Sequence, residues 1–527
     1  MRAAPVSLTA PGELFDVSGG TALRRSGAAL LLVLGLIGAA CGARVAPYTG
    51  AAANEGGAGA GSPSAGSSQS SAGGTQDTTA PLGSATTVPG QSGSGTSQTG
   101  GSGGSAPGTQ QAAPAAVSQL TPANFPFDPR AQAALCAGSA GNTASDKGVT
   151  PNSITVGNVS GLTGVLLNNF NQGPEAVQAL FSSVNAAGGI CGRRLNVLVE
   201  DDGQDSTKNS ADVADLIPKV LAFVGSTSDA DNGGVPQMAS AKVPDMGAAI
   251  SANRGQSPMF WSASGASQYE KGGHIFLYNS LTNGLKDNQE FPLRIATLAY
   301  QVKISADAAK EFNTLFQRAG AVSCFTDYGI LPTTTGLDQD VLQMKHNNCD
   351  GVYTTMDVTG NAKLYQAMDR QNFKPKFNGT TYDGYTPAQI SVAGQSTVQG
   401  LRVSLNFLPF NDGNPITNTY LSQLKTWEPG KQPSGFGLNS WASAEMFIYG
   451  LIKAGRNPTR ASLVDALAAI DSWNTGGATA PIRPRDHTVA GPCTMDTVVK
   501  GNDFVRDWPA SGFYCNGTLV DVGPPPS

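Results

Sequence analysis

Charge is scarce in this chain: only 13% of its 527 residues are Asp, Glu, Lys or Arg, and the formal net charge is −5. Without a basic excess there is no electrostatic footprint for a nucleic-acid partner. Histidine is nearly missing, with three in the whole chain. His274, His346 and His487 are isolated from one another and form no Cys/His cluster, so a zinc site is not expected. The folded part also lacks a G-x-S-x-G elbow, an H-E-x-x-H helix and a Gly-rich phosphate loop with its lysine. No enzyme activity, metal or cofactor is therefore expected. The apolar run Ala28 to Ala40 falls short of the about twenty residues that span a bilayer comfortably.

That short run has a different use. Arg24-Arg25 precede it and it ends directly on Cys41, which is the pattern of a secretory signal: a positive start, a short apolar stretch, then small residues. Gly38-Ala39-Ala40-Cys41 resembles a bacterial lipobox, in which the cysteine is lipidated and becomes the mature N-terminus. It departs from that pattern at Gly38, where Leu is usual, although Leu36 and Ile37 lie just upstream. Residues 1–40 are expected to be a signal peptide, and the protein to be extracytoplasmic and lipid-anchored to a bacterial cell membrane through Cys41. Residues 41–124 are mostly Gly, Ser, Ala, Thr, Pro and Gln. Such a stretch buries too little surface to offset its ordering entropy, so it reads as a disordered tether. Its r.m.s. span is about 50 Å for roughly eighty flexible residues.

From Phe125 onward the composition is globular. Roughly four hundred residues exceed what one hydrophobic core usually serves, so two lobes are expected. Ile154 to Val159 and Leu195 to Glu200 read as strands. Between them a helix opens near Pro174, with Val177, Leu180, Phe181 and Val184 at helical spacing. A connection of this length suits a parallel crossover rather than a hairpin. The acidic cluster Asp201, Asp202 and Asp205 fits turn and cap chemistry better than a calcium loop. Val220 to Val224, then Val243 to Ser251, repeat the strand-and-turn theme. A second series runs from Arg294 to Tyr300 through a helix near Ser305, a strand Gly351 to Met356, a helix around Leu364 to Met368 and a strand near Phe377 to Thr381. Gly400 to Leu408 is extended, and a helix carrying Leu438, Trp441, Ala444, Ile448 and Leu451 stops at Gly455. A further helix carries Leu463, Leu467 and Ile470. The alternation predicts an α/β fold of mostly parallel sheets flanked by helices. The chain is expected to close with a hairpin around Gly501-Asn502.

Seven cysteines are present. With Cys41 set aside, six remain, which suits an oxidising compartment. Locality pairs Cys136 with Cys191, Cys324 with Cys349 and Cys493 with Cys515, although the sequence alone leaves other connectivities open.

The segment VNAAGGICGRRLNVLVEDDGQD, with its preceding helix and the later VGS before a Ser/Thr turn, resembles the type I periplasmic binding proteins. The similarity is to the branched-chain amino-acid type of ABC transporter substrate-binding protein. It covers about residues 150 to 485 and is strongest in the first half. The resemblance implies two α/β lobes joined by a three-segment hinge, with lobe 1 at about 150–283 and 405–478 and lobe 2 at about 284–404 and 479–527. It also implies closure on a small solute, an amino acid or similar, that is handed to membrane permease subunits. A ligand carboxylate would meet Thr227, Ser228 and Asp229 at one turn and Ala249 and Ser251 at another. Hydroxyls and amides at helix starts suit such a group. Tyr300, Asp357, Tyr382 and Asp383 would approach the ligand's amino side from the second lobe. Each of these residues also has a plainer reading, as a cap or a strand-end turn. Asp229 stands where the family has serine, which sits badly beside a carboxylate. The loop after Tyr300 lacks the family's Tyr-Gly pair. A lipid-anchored sensor, or less readily a secreted enzyme, are the alternatives on the same fold.

Overall fold

In a computed structural model, residues 115–166, 170–263, 292–484 and 493–515 are described. Chain contacts divide the protein into units 1–101 and 102–527, and every described residue belongs to the second. The expected signal peptide, Cys41, residues 41–114 of the expected tether, His274 and His487 lie outside the described residues.

Two sheets carry the architecture. The first has the order β2-β1-β3-β4-β5, from β1 (Ser153–Ser160), β2 (Arg194–Asp201), β3 (Phe223–Val224), β4 (Asp245–Met246) and β5 (Phe260–Trp261). All its pairings are parallel, and β1 runs in register with β2 from Ser153↔Arg194 to Ser160↔Asp201. The crossover from β1 to β2 is the helix Gln172–Ala186, which buries Val177, Leu180, Phe181 and Val184 as their spacing predicts. Its end explains the AAGGI-x-GR sequence. Asn185 Nδ2 donates to the Leu195 carbonyl at 2.9 Å, and Leu195 N–H donates back to Asn185 Oδ1 at 2.8 Å. Gly189 has φ +74°, and a side chain there would meet the Arg193 carbonyl at 2.1 Å. Arg193 itself is fully buried, donating to the carbonyls of Thr150, Thr143 and Arg456. Those residues hold the fold together rather than facing a ligand.

The second sheet has the order β12-β11-β10-β9-β8-β6-β7. Its strands are β6 (Arg294–Tyr300), β7 (Val322–Ile330), β8 (Gly351–Thr354), β9 (Phe377–Thr380), β10 (Leu401–Leu405), β11 (Met495–Lys500) and β12 (Asp503–Trp508). The first five pair in parallel, and β11 and β12 form the antiparallel hairpin expected at Gly501-Asn502. On one face the helix Lys303–Arg318 lays Phe312 and Phe316 against Tyr353 and Phe377. The disulfides are Cys136–Cys191, Cys324–Cys349 and Cys493–Cys515.

After β10 the chain returns to the first sheet. The helix Gly435–Ala454, buried along almost its whole length, packs against Gln172–Ala186, with Phe181 and Phe447 rings 6.1 Å apart. The chain thus passes between the sheets three times, after β5, after β10 and before β11. These passages are bonded together. Leu408 N–H donates to the Ala478 carbonyl at 2.8 Å, and Ala480 N–H to the Asn406 carbonyl at 2.7 Å. Thr479 Oγ1 reaches the Ala263 carbonyl at 3.5 Å, so all three strands of the hinge are in contact.

A strap precedes β1. Phe125 and Phe127 pack on Trp473 and Phe125 also on Tyr449, while Lys453 Nζ holds the Leu120 carbonyl at 3.1 Å. Leu120 is buried, so packing starts a few residues before the shift in composition at Phe125. No helix among the described residues is long and apolar enough to cross a membrane.

Candidate functional site

In an open α/β sheet the crevice for a ligand lies beyond the carboxyl ends of the strands, where the strand order reverses. In the first lobe that place is between β1 and β3. The turn after β3, Gly225 to Gly234, is where Thr227, Ser228 and Asp229 fall. Thr227 is fully buried; its hydroxyl donates to the Phe170 carbonyl at 2.9 Å and its N–H to Ser160 Oγ at 3.0 Å. Ser228 Oγ accepts Ala230 N–H at 3.1 Å. Gly161 closes against them: a side chain there would meet Gln204 at 2.9 Å and Ser228 Oγ at 3.3 Å. Asp229 Oδ1 is buried without a hydrogen-bond partner. Burial, then the neighbouring Asp202 and Asp231 carboxylates, push the Asp229 carboxyl up to about 7, against the pull of the Asp229 and Ala230 backbone N–H groups.

The second expected turn, Ala249 to Ser251, is joined to the first by a residue that sequence reasoning passes over. Asp231 accepts Ile250 N–H at 2.7 Å and Ser251 N–H at 3.0 Å. Behind it lies Arg254, fully buried, whose Nε and Nη2 clasp both oxygens of Asp245 at 2.8 Å. Arg254 Nη1 reaches the Ser226 carbonyl at 3.0 Å, the Ala248 carbonyl at 3.1 Å and Asp231 Oδ2 at 3.4 Å. A planar guanidinium can serve this many acceptors at once, which a lysine cannot. Burial pushes the Asp231 carboxyl up, against the pull of Arg254. Ser251 caps its short helix, accepting Arg254 N–H at 3.3 Å, and Ala249 is buried beside it. Asp231 and Arg254 are separated by two elements in sequence, and neither carries a motif.

In the second lobe Tyr300 and Asp357 are directly bonded. Tyr300 Oη donates to Asp357 Oδ1 at 2.7 Å, while the same carboxylate oxygen caps the helix Val358–Arg370 by accepting Gly360 N–H at 2.8 Å. Burial, then the Asp357 charge, raises the Tyr300 hydroxyl well above its ordinary range. Tyr382 and Asp383 follow β9, and the Thr381 hydroxyl donates to Asp383. Asn361 of the helix Val358–Arg370 ties the end of β9 to the turn after β8, its Nδ2 donating to Thr380 Oγ1 at 3.0 Å and to the Met356 carbonyl at 3.1 Å. Tyr382 also reaches the other lobe. Its ring lies 5.0 Å from Phe436 at the start of the buried helix, and Phe436 lies 5.2 Å from Phe170 after β1. The Tyr382 hydroxyl is raised by burial, then by Asp383 of its own loop and Asp231 of the first lobe.

The nine expected residues fall in two groups, a first wall of Thr227 to Asp229 with Ala249 to Ser251, tied through Asp231, and a second of Tyr300 with Asp357 and Tyr382 with Asp383. Tyr382 packs its ring against Phe436 of the first lobe. Among the described residues, no group of three or more His, Cys, Asp or Glu could hold a metal ion.

Comparison with known proteins agrees with this architecture. A family model described as periplasmic binding protein matches residues 153–503. A fatty acid ABC transporter substrate-binding protein from Thermomonospora curvata shares 18% identity, covering 73% of this chain and 99% of that one, with a TM-score of 0.60. A branched-chain amino acid ABC transporter protein from Thermus thermophilus with bound valine shares 12%, covering 69% and 97%, with a TM-score of 0.58. The branched-chain amino acid transporter substrate-binding protein LivJ from Streptococcus pneumoniae, in complex with isoleucine, shares 15%, covering 67% and 100%, with a TM-score of 0.55. Among curated proteins none matches. The chain belongs to the periplasmic binding protein family, in its type I, two-lobed form.

Proposed function

We propose that this protein is the extracytoplasmic substrate-binding component of an ABC importer. It captures a small polar solute, an amino acid or similar, by closing its lobes, and delivers it to membrane permease subunits without changing it chemically. The observation that carries this reading is the three-strand hinge, bonded at Leu408–Ala478, Ala480–Asn406 and Thr479–Ala263, between two lobes of the family fold. Three adjoining passages let two rigid lobes rotate while absorbing the change in a few backbone dihedrals.

The proposed ligand contacts are Thr227, Ser228, Asp229, Ala249 and Ser251 on the first wall and Tyr300, Asp357, Tyr382 and Asp383 on the second. The structures with bound valine and isoleucine support a small-solute role, and the fatty-acid relative leaves the solute class open. Attachment through a lipidated Cys41 and the stretch that follows it would hold the domain near its permease.

A thermal-shift screen of the full chain against amino acids, amines, amides, ureas and small acids tests the reading. A solute that binds the native state raises the unfolding midpoint. The shift should shrink in Asp383→Ala and Ser251→Ala. A panel without any shift, or variants that bind as the native protein does, would count against the function or the site respectively.

A further inference from the structure

This inference rests on the solute-capture reading and concerns which class of solute fits. The fold fixes where the crevice is; the donors and acceptors left free on its walls decide what it accepts. A carboxylate needs donors, and much of what the first wall could offer is committed. The Thr227 hydroxyl is given to the Phe170 carbonyl and the Thr227 N–H to Ser160. The Ile250 and Ser251 N–H groups are both given to Asp231, so a protein carboxylate already occupies the place at that turn that a ligand carboxylate would take. The Ser251 hydroxyl is given to Asp231 as well, while Ser228 Oγ accepts Ala230 N–H and keeps its own hydrogen to donate.

Besides that hydrogen, the first wall leaves over an acceptor. Asp229 Oδ1 is a buried carboxyl oxygen with no partner, and leaving such an atom unmatched is costly. The two charged side chains that act on it most are Asp202 and Asp231, both acids. Arg254 is turned to Asp245 and Asp231. The second wall repeats the theme, since the Tyr300 hydroxyl hydrogen is given to Asp357 and Asp383 lies beside Tyr382. A ligand carboxylate would face acids on both sides, whereas an ammonium satisfies the unmatched oxygen and the surrounding negative potential together.

We propose that the crevice takes a small organic amine without a carboxylate, and that its ammonium is received by Asp229. Serine in place of Asp229 would replace the carboxylate by a neutral hydroxyl and lower the negative potential; aspartate there sets the specificity.

The groups acting on the Asp229 carboxyl are Asp202 just after β2, Asp231 with Arg254 behind it, and the backbone N–H groups of Asp229 and Ala230. A carboxyl titrating at about 7 is mostly neutral a unit below that and mostly charged a unit above it. Affinity for a cation should therefore rise with pH, by about tenfold from about pH 6 to about pH 8. A ligand held by its carboxylate would show the opposite trend.

Titration calorimetry of the full chain with 1,4-diaminobutane, agmatine, leucine and octanoate separates the cases. The expected result is that an amine probe binds, more tightly at the higher pH. Asp229→Asn should weaken it by about tenfold or more and flatten the pH dependence. Asp229→Ser serves as a second variant if the first does not fold, with the same expectation. Binding of leucine or octanoate that is unchanged or tightened by Asp229→Ser would overturn the proposal and leave solute capture standing. Failure of both amines to bind native protein would overturn it too, while the broader thermal-shift panel judges capture itself.

Discussion

Asp231 accepts the backbone N–H of Ser251 at 3.0 Å, tying together two turns of the first lobe that are twenty residues apart in sequence. Arg254 stands behind that link with Asp245, and all three side chains are buried. Removing one partner of a buried ion network leaves an uncompensated charge. Arg254→Met should therefore destabilise the protein by about 3–5 kcal/mol. The measurement is a denaturant midpoint at constant slope. A loss of under about 1 kcal/mol, typical of an exposed pair, would contradict the role given to Arg254.

A second consequence concerns Gly360. A side chain there would meet the Tyr300 hydroxyl at 2.3 Å, so Gly360→Ala must displace the tyrosine from Asp357. Overpacking of this kind costs about 1–3 kcal/mol. Tyr300→Phe removes the clashing oxygen, so the double variant should be more stable than the sum of the single losses implies. Strict additivity in a double-variant cycle would contradict the packing described.

A third follows from Glu445, fully buried in the helix Gly435–Ala454 and bonded by Gln132 Nε2 at 2.6 Å. Burial pushes its carboxyl well above the ordinary range, with only the Gln132 amide favouring the charged form. The Gln132 Oε1 acceptor also lacks a donor, and a neutral carboxyl carries a hydrogen that a carboxylate does not. The folded state keeps a proton that the unfolded chain releases near the usual glutamate value. Stability contributed by this group is thus full below that value and is lost as pH rises toward the folded one, by up to about 1.4 kcal/mol per pH unit. Glu445→Gln should remove this slope and exceed the native protein in stability at alkaline pH. Equal slopes in the two proteins would contradict a buried proton at Glu445.

The proposed attachment to the membrane gives a fourth. Metabolic labelling with a fatty acid should mark the native protein and not Cys41→Ser. Labelling that persists in the variant would rule out Cys41 as the anchor.

Much of the fold was legible because it rests on local chemistry. The helix Gln172–Ala186 announces itself by apolar spacing, and the Gly188-Gly189 turn by two glycines held at φ +112° and +74°, where other residues are strained. β7 was not legible: Val322–Ile330 is an edge strand with Ser323, Thr326 and Asp327 in it, and the long apolar run of a buried strand is absent. The helix Pro415–Trp427 was also missed, although Asn414 caps it by accepting Ile416 and Thr417 N–H ahead of a proline in the first turn. That cap was a readable signal. At the site, the strand-end turns could be placed from the sequence. The use of Ile250 and Ser251 N–H groups by Asp231 could not, because a tertiary contact decides it.

The central claim is that binding closes two lobes about the hinge. Val165 follows β1 in the first lobe and Leu331 follows β7 in the second, and both are exposed, at 57% and 48%. Spin labels at these two positions report the separation of the lips directly. The account predicts that a solute found in the thermal-shift screen shortens that distance and narrows its distribution. A saturating solute that leaves both unchanged would contradict capture by closure.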